Sequence, residues 1–186
     1  MPQVKQARAT LEDLYREPGK AELIGGRIVR YMASGRKPSR VAFRIARSLD
    51  DHAEGTGVGE AYADGTGFAV AELPSGRESF SPDTAFHTGP FPKNPMRFIE
   101  GAPKFAAEVR SENDYGEAAE IEMAEKRADY FAAGTKVVWD VDPVNECVHI
   151  YRASAPTQPT IYHRGQIADA EPAVPGWRMA VDQIFG

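Results

Sequence analysis

Two carboxylates in this chain stand in apolar settings, where acids are poorly tolerated unless they bind a partner or take part in chemistry. Asp83 follows a proline in "FSPDTAF", and Glu108 stands near the end of the apolar run "KFAAEV". Burying a carboxylate without a partner costs several kcal/mol. Two strands that carry these acids toward one end can bring both to one cation, and Mg²⁺ usually takes only one or two carboxylates. Such an ion lowers the pKa of a bound water and stabilises the charge on a pentacoordinate phosphate.

A lysine that could assist this chemistry lies on the helix predicted after Glu108. Glu122, Lys126 and Tyr130 recur every four residues on one face, which can look toward the strand ends that carry the acids. A lysine there can position an attacking water and neutralise developing charge. We expect a different, apolar stripe of this helix to pack on the sheet: Ile121, Ala124, Ala128 and Phe131.

Each of these residues also has a plainer explanation. Asp83 can cap the turn that follows Pro82, and Glu108 can pair with a nearby arginine. Lys126 can form an ordinary surface ion pair with Glu122, worth a few tenths of a kcal/mol. On spacing alone, the plainer explanations are favoured.

Arg110 occupies the position at which a Glu-x-Lys motif, typical of restriction-type nucleases, would place its lysine. The chain reads Glu108, Val109, Arg110 there. A guanidinium stays protonated and presents a planar fork, so Arg110 can grip a phosphate but handles the proton of a water poorly.

The order of predicted elements indicates an α+β domain, residues 1–186, with a mixed or antiparallel β-sheet flanked by helices. Hydrophobic periodicity and turn residues define these elements. In chain order we predict a short helix at 9–17, a hairpin at 21–32 around Gly25-Gly26, a loop at 33–39, a helix at 39–55, antiparallel strands at 59–86, an ordered loop at 87–103, a buried strand at 104–110, a long helix at 114–134, and strands at 135–143, 146–153 and 159–165.

Composition excludes several other classes of protein and site. The only cysteine is Cys147, so a disulfide within the chain and a cysteine-rich zinc site are both excluded. The four histidines are scattered without metal-ligand spacing. No run approaches the roughly 18 apolar residues that cross a membrane, and the N-terminus lacks the apolar core of a secretory signal. We therefore expect a cytoplasmic protein that does not enter a membrane.

Charge is distributed unevenly along the chain, whose net charge is −5. Residues 1–50 hold eleven Lys or Arg and five Asp or Glu, and no acid falls between Leu23 and Leu49. Such an asymmetry can mark a surface for phosphate, although a solvated helix face explains it equally well. The candidate phosphate contacts are Arg36, Lys37, Arg40 and Arg44.

Four segments, taken in order, resemble the Uma2 family, a bacterial group also called DUF820. They are "TLEDLYREPGKAELIGGRIV", "SFSPDTAF", "EGAPKFAAEVRSEND" and "AEKRADYFAAGTKVVWDVDP". The resemblance runs over nearly the whole chain and implies a restriction-endonuclease-like core of the PD-(D/E)xK superfamily. The chain departs from the family pattern in three places. It has Ala21 where the family has Tyr, it has Gly25-Gly26 at the hairpin turn, and its "RSEND" segment adds Glu112 and Asp114 near the site.

The resemblance also implies roles for particular residues. Asp83 and Glu108 match the two metal-binding acids, and Lys126 matches the helix lysine that takes over from the lysine of Glu-x-Lys. Glu22 matches an N-terminal acid that joins the metal site, and Tyr130 matches a supporting tyrosine. We expect the Val109 carbonyl to complete the ligand set.

The resulting hypothesis is that the protein is an endonuclease that uses Mg²⁺ or Mn²⁺ to hydrolyse DNA. We expect it to act as a homodimer or higher homo-oligomer. RNA or branched DNA cannot be separated from DNA by sequence. The rival hypothesis is a catalytically idle binding or assembly module that keeps the same fold, because a fold alone does not establish activity.

Overall fold

The computed structural model of the chain describes residues 7–186. Residues 1–6 belong to the segment that we expect to carry no secretory signal, and they lie outside the described residues. Helix α1 (Leu11–Leu14) opens the described fold. Thr10 and Asp13 form its capping box, each side chain bonding the other's backbone N–H, as the sequence predicts.

The predicted hairpin follows as β1 (Ala21–Ile24) and β2 (Arg27–Arg30). Gly25 and Gly26 take φ of 58° and 69°, the left-handed pair that a two-residue turn between antiparallel strands requires. The hairpin stands apart from the main sheet, and β1 packs against the segment that contains Ser79. Strand β1 is therefore fixed to the rest of the protein through this segment.

Helix α2 (Arg36–Thr56) starts earlier than the sequence analysis predicted. The loop prediction for 33–39 is wrong from Arg36 onward. Pro38 suggested a loop, but it lies in the first helical turn, where its missing N–H has no helical partner to lose. The predicted apolar face is confirmed, because Val41, Ile45 and Leu49 are fully buried.

A six-stranded mixed sheet forms the centre of the fold, in the order β11-β10-β9-β8-β6-β3. All its neighbouring pairs are antiparallel except β8 and β9, which are parallel. Its strands are β3 (Glu60–Ala63), β6 (Thr84–His87), β8 (Phe105–Val109), β9 (Val137–Asp142), β10 (Cys147–Arg152) and β11 (Ala155–His163). This sheet confirms the predicted fold class.

Short strands complete the ends of the fold. A three-stranded sheet, in the order β5-β4-β7, joins β4 (Phe68–Ala69), β5 (Ser79–Phe80) and β7 (Ile99–Glu100), the last lying within the predicted loop at 87–103. The chain ends in β12 (Ile167–Asp169), β13 (Arg178–Ala180) and helix α4 (Val181–Phe185). None of the helices within residues 7–186 is long and apolar enough to cross a membrane.

The two faces of the central sheet have different cores. On one face α2 and α4 pack against alternate residues of β8, such as Phe105 and Ala107, and against the stacked Trp139 and Trp177. On the other face a smaller cluster contains Ala106 and residues of the three-stranded sheet. Because side chains alternate along a strand, Glu108 shares the face of Ala106.

Helix α3 (Glu117–Ala132) covers this second face in an unexpected orientation. The predicted packing stripe is wrong, because Ile121 is 53% exposed and Ala124 and Ala128 are also exposed; Phe131 alone is partly buried. Tyr130 is the fully buried residue of the helix. The helix turns its polar face inward because acids and arginines of the sheet region bind that face.

Candidate active site

Asp83 and Glu108 meet at one edge of the central sheet. Strands β6 and β8 are antiparallel, with Thr84 opposite Ala107, so the residue before Thr84 lies beside the residue after Ala107. The backbone N–H of Val109 donates to Asp83 Oδ2 at 2.7 Å. Both side chains are largely buried, with exposed fractions of 14% for Asp83 and 24% for Glu108. The strand register therefore places the two acids side by side.

Lys126 lies between two of the predicted acids. Its Nζ is 2.9 Å from Glu108 Oε1 and 3.1 Å from Glu22 Oε1. Tyr130, one helical turn later, donates its hydroxyl to Glu108 Oε1 at 2.6 Å. The partners of Lys126 are therefore the strand acids rather than the neighbouring Glu122 of its own helix.

Glu22 is fully buried and has a hydrogen-bond donor on every side. Its Oε1 accepts from the Ser81 N–H at 2.8 Å, and its Oε2 accepts from the Tyr31 hydroxyl at 2.7 Å and from the Arg77 guanidinium. With Lys126 also on Oε1, both oxygens are engaged. These contacts make Glu22 a buried anchor for Lys126, and its role as a metal ligand stays a prediction.

Lys20 is a member of the site that the sequence analysis did not single out. Its Nζ is 2.6 Å from Asp83 Oδ1 and 2.7 Å from Asp64 Oδ1, and its side chain is only 19% exposed. Lys20 stands two residues before Glu22, so strand alternation could have indicated that both side chains point the same way. Asp64 lies in the turn after β3, where no local pattern predicts a site.

Arg77 is a second residue that the sequence analysis missed. It is 6% exposed, and its guanidinium bridges Glu22 to Asp129 of α3, with Nε 2.9 Å from Asp129 Oδ2. It also lies over the ring of Phe80. A separation of more than fifty residues on each side left no sequence signal for these contacts.

The charges in this cluster shift the pKa values of its members in opposite directions. Burial works to raise the pKa of Glu22, but the ammonium of Lys126 and the guanidinium of Arg77 outweigh it and hold the pKa at about 2. Burial raises the pKa of Glu108 above its ordinary value, with Lys126 opposing and Asp83 assisting. Burial works to lower the pKa of Lys126, but Glu108 and Glu22 raise it well above the ordinary value. Lys126 is accordingly a permanent cation at neutral pH.

The donor chemistry of Asp83 and Glu108 fits a hard divalent cation. Both supply carboxylate oxygens, which Mg²⁺ and Mn²⁺ prefer, and two carboxylates with waters are an ordinary ligand set. Within residues 7–186 no donor bonds to Glu108 Oε2, so this oxygen is free to bind a cation. The same residues contain no group of three or more acidic, histidine or cysteine side chains that could hold a metal. Asp83 and Glu108 thus offer a donor set of two carboxylates.

Arg110 turns away from these acids and binds elsewhere. Its Nε and Nη2 contact Asp140 of β9 at 2.7 and 2.8 Å, and its Nη1 contacts Glu120 of α3. Asp114, in the adjacent "RSEND" segment, accepts from the Ser111 N–H at 2.6 Å and so closes a turn. The arginine that follows the second acid thus ties α3 to the sheet.

The predicted basic contacts all lie on the first three turns of α2. Arg36, Lys37 and Arg40 are exposed, whereas Arg44 is half-buried and bonds the Ile184 carbonyl at 3.3 Å. Lys37 forms a surface ion pair at 3.0 Å with a glutamate in the turn after β9. Three of the four, Arg36, Arg40 and Arg44, have no acid within ion-pair distance in the described part of the chain, and of these Arg36 and Arg40 are exposed.

A mixed sheet flanked by helices, with acids at adjacent strand ends, agrees with the restriction-endonuclease-like core that the resemblance implies. A crystal structure described as a "putative nuclease belonging to DUF820" from Anabaena variabilis has this fold: it matches 95% of this chain and 97% of its own length with a TM-score of 0.72 and 18% identity. The family model named Uma2, described as "Putative restriction endonuclease", matches residues 8–182, so the chain belongs to the Uma2 family. No curated protein matches the chain.

Proposed function

We propose that this protein is a divalent-metal-dependent nuclease that hydrolyses phosphodiester bonds in DNA. The observation that supports this proposal most strongly is the meeting of Asp83, Glu108 and Lys126 at one sheet edge. Asp83 stands just before β6, Glu108 lies in β8 and Lys126 lies in α3, so three separate segments supply these residues. Proteins of the restriction-endonuclease type generally use divalent metal ions. The donor chemistry of the two acids agrees with that use.

The proposed mechanism assigns a separate task to each residue. Asp83 and Glu108 would hold Mg²⁺ or Mn²⁺, with the Val109 carbonyl as a further ligand. The ion would supply positive charge to the phosphate and make water more acidic. Lys126 remains protonated beside Glu108, so it donates hydrogen bonds to water or phosphate oxygen and stabilises developing negative charge. Glu22 fixes Lys126 from the buried side.

A cleavage assay on supercoiled and linear DNA with Mg²⁺ or Mn²⁺ tests this proposal. Removing a group that assists proton transfer or charge stabilisation typically costs roughly 10²–10⁴-fold in rate, so we expect losses of that size for Glu108→Gln and Lys126→Met. Glu112→Gln is the matched control, because Glu112 is an exposed acid outside the cluster. Absence of metal-dependent cleavage, or equal loss in the control, would contradict the proposal.

A non-catalytic module with the same fold is the second candidate, and one observation favours it. The ammonium of Lys20 already neutralises Asp83, so this acid is paired without any metal. Titration calorimetry with Mn²⁺ separates the two candidates. Binding that Asp83→Asn abolishes supports the nuclease, whereas no binding at millimolar Mn²⁺ supports the module.

A further inference from the structure

A cavity of about 200 Å³ opens directly beside Asp83. It lies between the first turns of α2 and the sheet edge that carries the acids. Its lining includes Pro38 and Phe43 of α2, together with Asp64, Asp83 and Val109. Of this lining the proposed nuclease mechanism uses only Asp83 and Val109, so the other lining residues have no assigned role.

The lining of the cavity includes both charged and apolar side chains. The carboxylates of Asp83 and Asp64 share the one ammonium of Lys20, so the charged side chains are net negative and a phosphate would not enter the cavity. Hydrocarbon of Pro38 and Phe43 supplies the apolar side chains. This lining suits the flat apolar body of a ligand whose anionic groups stay outside the cavity.

Phe43 is the unusual apolar residue of the lining, because it is 52% exposed. The buried face of α2 consists of residues such as Val41 and Ile45, both fully buried, and Phe43 lies outside that face. Its ring therefore contributes little to the core of the protein and presents a surface to the cavity.

The cationic side chain of Arg40 lies over the ring of Phe43. The guanidinium of Arg40 lies 5.5 Å from the centre of the Phe43 ring, within the range of a cation–π contact. Arg36 lies one turn earlier on the same helix. Neither arginine has a carboxylate within ion-pair distance in residues 7–186, so both keep their charge available for a phosphate.

We infer that this cavity binds the base of an unpaired nucleotide in single-stranded DNA, stacked on Phe43, with Arg40 and Arg36 contacting the adjacent phosphates. Its volume is below the roughly 300–1,000 Å³ of pockets for drug-sized ligands, and therefore suits one base. Exposed aromatic rings beside basic residues are the usual platform for single strands. A paired base is stacked inside its duplex and cannot enter the cavity unless it is extruded. This inference rests on the proposed nuclease function and adds a substrate class to it.

Fluorescence anisotropy in EDTA, where no metal-dependent cleavage can occur, tests the inference. The probes are a labelled single-stranded oligonucleotide and a blunt duplex of the same sequence. We expect the single strand to bind more tightly. We expect Phe43→Ala to weaken that binding by roughly 5- to 150-fold, which corresponds to about 1–3 kcal/mol per stacked base, and to leave duplex binding nearly unchanged.

Two further variants keep the test decisive. Phe91→Ala is the matched control, because Phe91 is 46% exposed and is not part of the cavity lining, so it should bind as the parent protein does. Phe43→Leu keeps apolar bulk without a ring and should lose most of the single-strand preference. Equal binding of both probes, or full affinity in Phe43→Leu and Phe43→Ala, would overturn the inference.

The outcomes also separate this inference from the proposed function. Cleavage of both probes at equal rates, unaffected by Phe43→Ala, would overturn the base-binding cavity and leave the nuclease standing. Single-strand binding that depends on Phe43, without cleavage in Mg²⁺ or Mn²⁺, would support the cavity and contradict the nuclease.

Discussion

Replacing Lys20 by methionine should increase the affinity of the protein for Mn²⁺. The Lys20 ammonium lies 2.6 Å from Asp83 Oδ1, and both side chains are largely buried. A cation that binds Asp83 must break this contact, so Lys20 competes with the metal. The variant removes the competitor, while Asp83 keeps its hydrogen bond from the Val109 N–H.

The structure sets the size of the expected increase. A hydrogen bond to a charged group contributes about 1.5–3 kcal/mol, and Asp83 and Lys20 are buried enough for that range to apply. The second partner, Asp64, is 48% exposed, so its ion pair adds only roughly 0.2–1 kcal/mol. Together the two contributions amount to about 1.7–4 kcal/mol. Since 1.4 kcal/mol corresponds to a tenfold change, the Kd for Mn²⁺ should fall by roughly 15- to 700-fold.

Titration calorimetry on the parent protein and the variant measures this change. Lys37→Met is the matched control, because it removes the same charge from an ion pair outside the acid cluster. An unchanged or higher Kd in Lys20→Met would refute the reasoning. An equal gain in Lys37→Met would show that net charge, rather than competition at Asp83, causes the effect.

Three further predictions concern stability and are measured by urea unfolding in EDTA. The pKa of Glu22 is about 2 in the folded protein against an ordinary 4.5, which corresponds to about 3 kcal/mol of folding stability. This stability is complete above pH 4.5 and is lost as the pH falls toward 2. Glu22→Gln should therefore flatten the dependence of the free energy of unfolding on pH over this range. Tyr130→Phe removes a 2.6 Å hydrogen bond to Glu108 and should cost about 1.5–3 kcal/mol. Arg110→Lys loses the two-bond contact with Asp140 and should lower stability. Its Mn²⁺ affinity, measured separately by calorimetry without EDTA, should not change.

Each of these predictions has its own contradicting result. An equally steep pH dependence in Glu22→Gln would show that other carboxylates cause the acid unfolding. An unchanged midpoint for Tyr130→Phe would mean that water replaces the lost hydroxyl. Weaker Mn²⁺ binding in Arg110→Lys would place the arginine in the metal site rather than between α3 and the sheet.

Local sequence signals predicted those parts of the fold that short-range chemistry determines. The Thr10–Asp13 capping box and the Gly25-Gly26 turn each depend on a few adjacent residues, and both are present. Asp83 and Glu108 stood out because acids rarely border apolar strands. The strand register that joins them could not be inferred, because it depends on how β6 and β8 pair.

The misplaced face of α3 and the missed site residues share one physical cause. Periodicity assumes that the apolar side of a helix faces inward, and for α3 it faces outward. Lys126 and its neighbours are buried because they form ion pairs with charged residues of other segments of the chain. The same dependence on tertiary structure hid Lys20 and Arg77. No pattern within one segment can reveal an ion pair whose other member is fifty residues away.

The inward polar face of α3 has a consequence for the motions of the protein. The helix is attached through one fully buried tyrosine and through ion pairs rather than through a broad apolar contact. Those pairs are Glu120–Arg110, Lys126–Glu22, Lys126–Glu108, Arg127–Asp140 and Asp129–Arg77. Segments with few apolar contacts open locally at lower free energy than the rest of a domain. The amide protons of α3 should therefore exchange with solvent before those of β8 and β9, and each such opening would carry Lys126 away from the two strand acids.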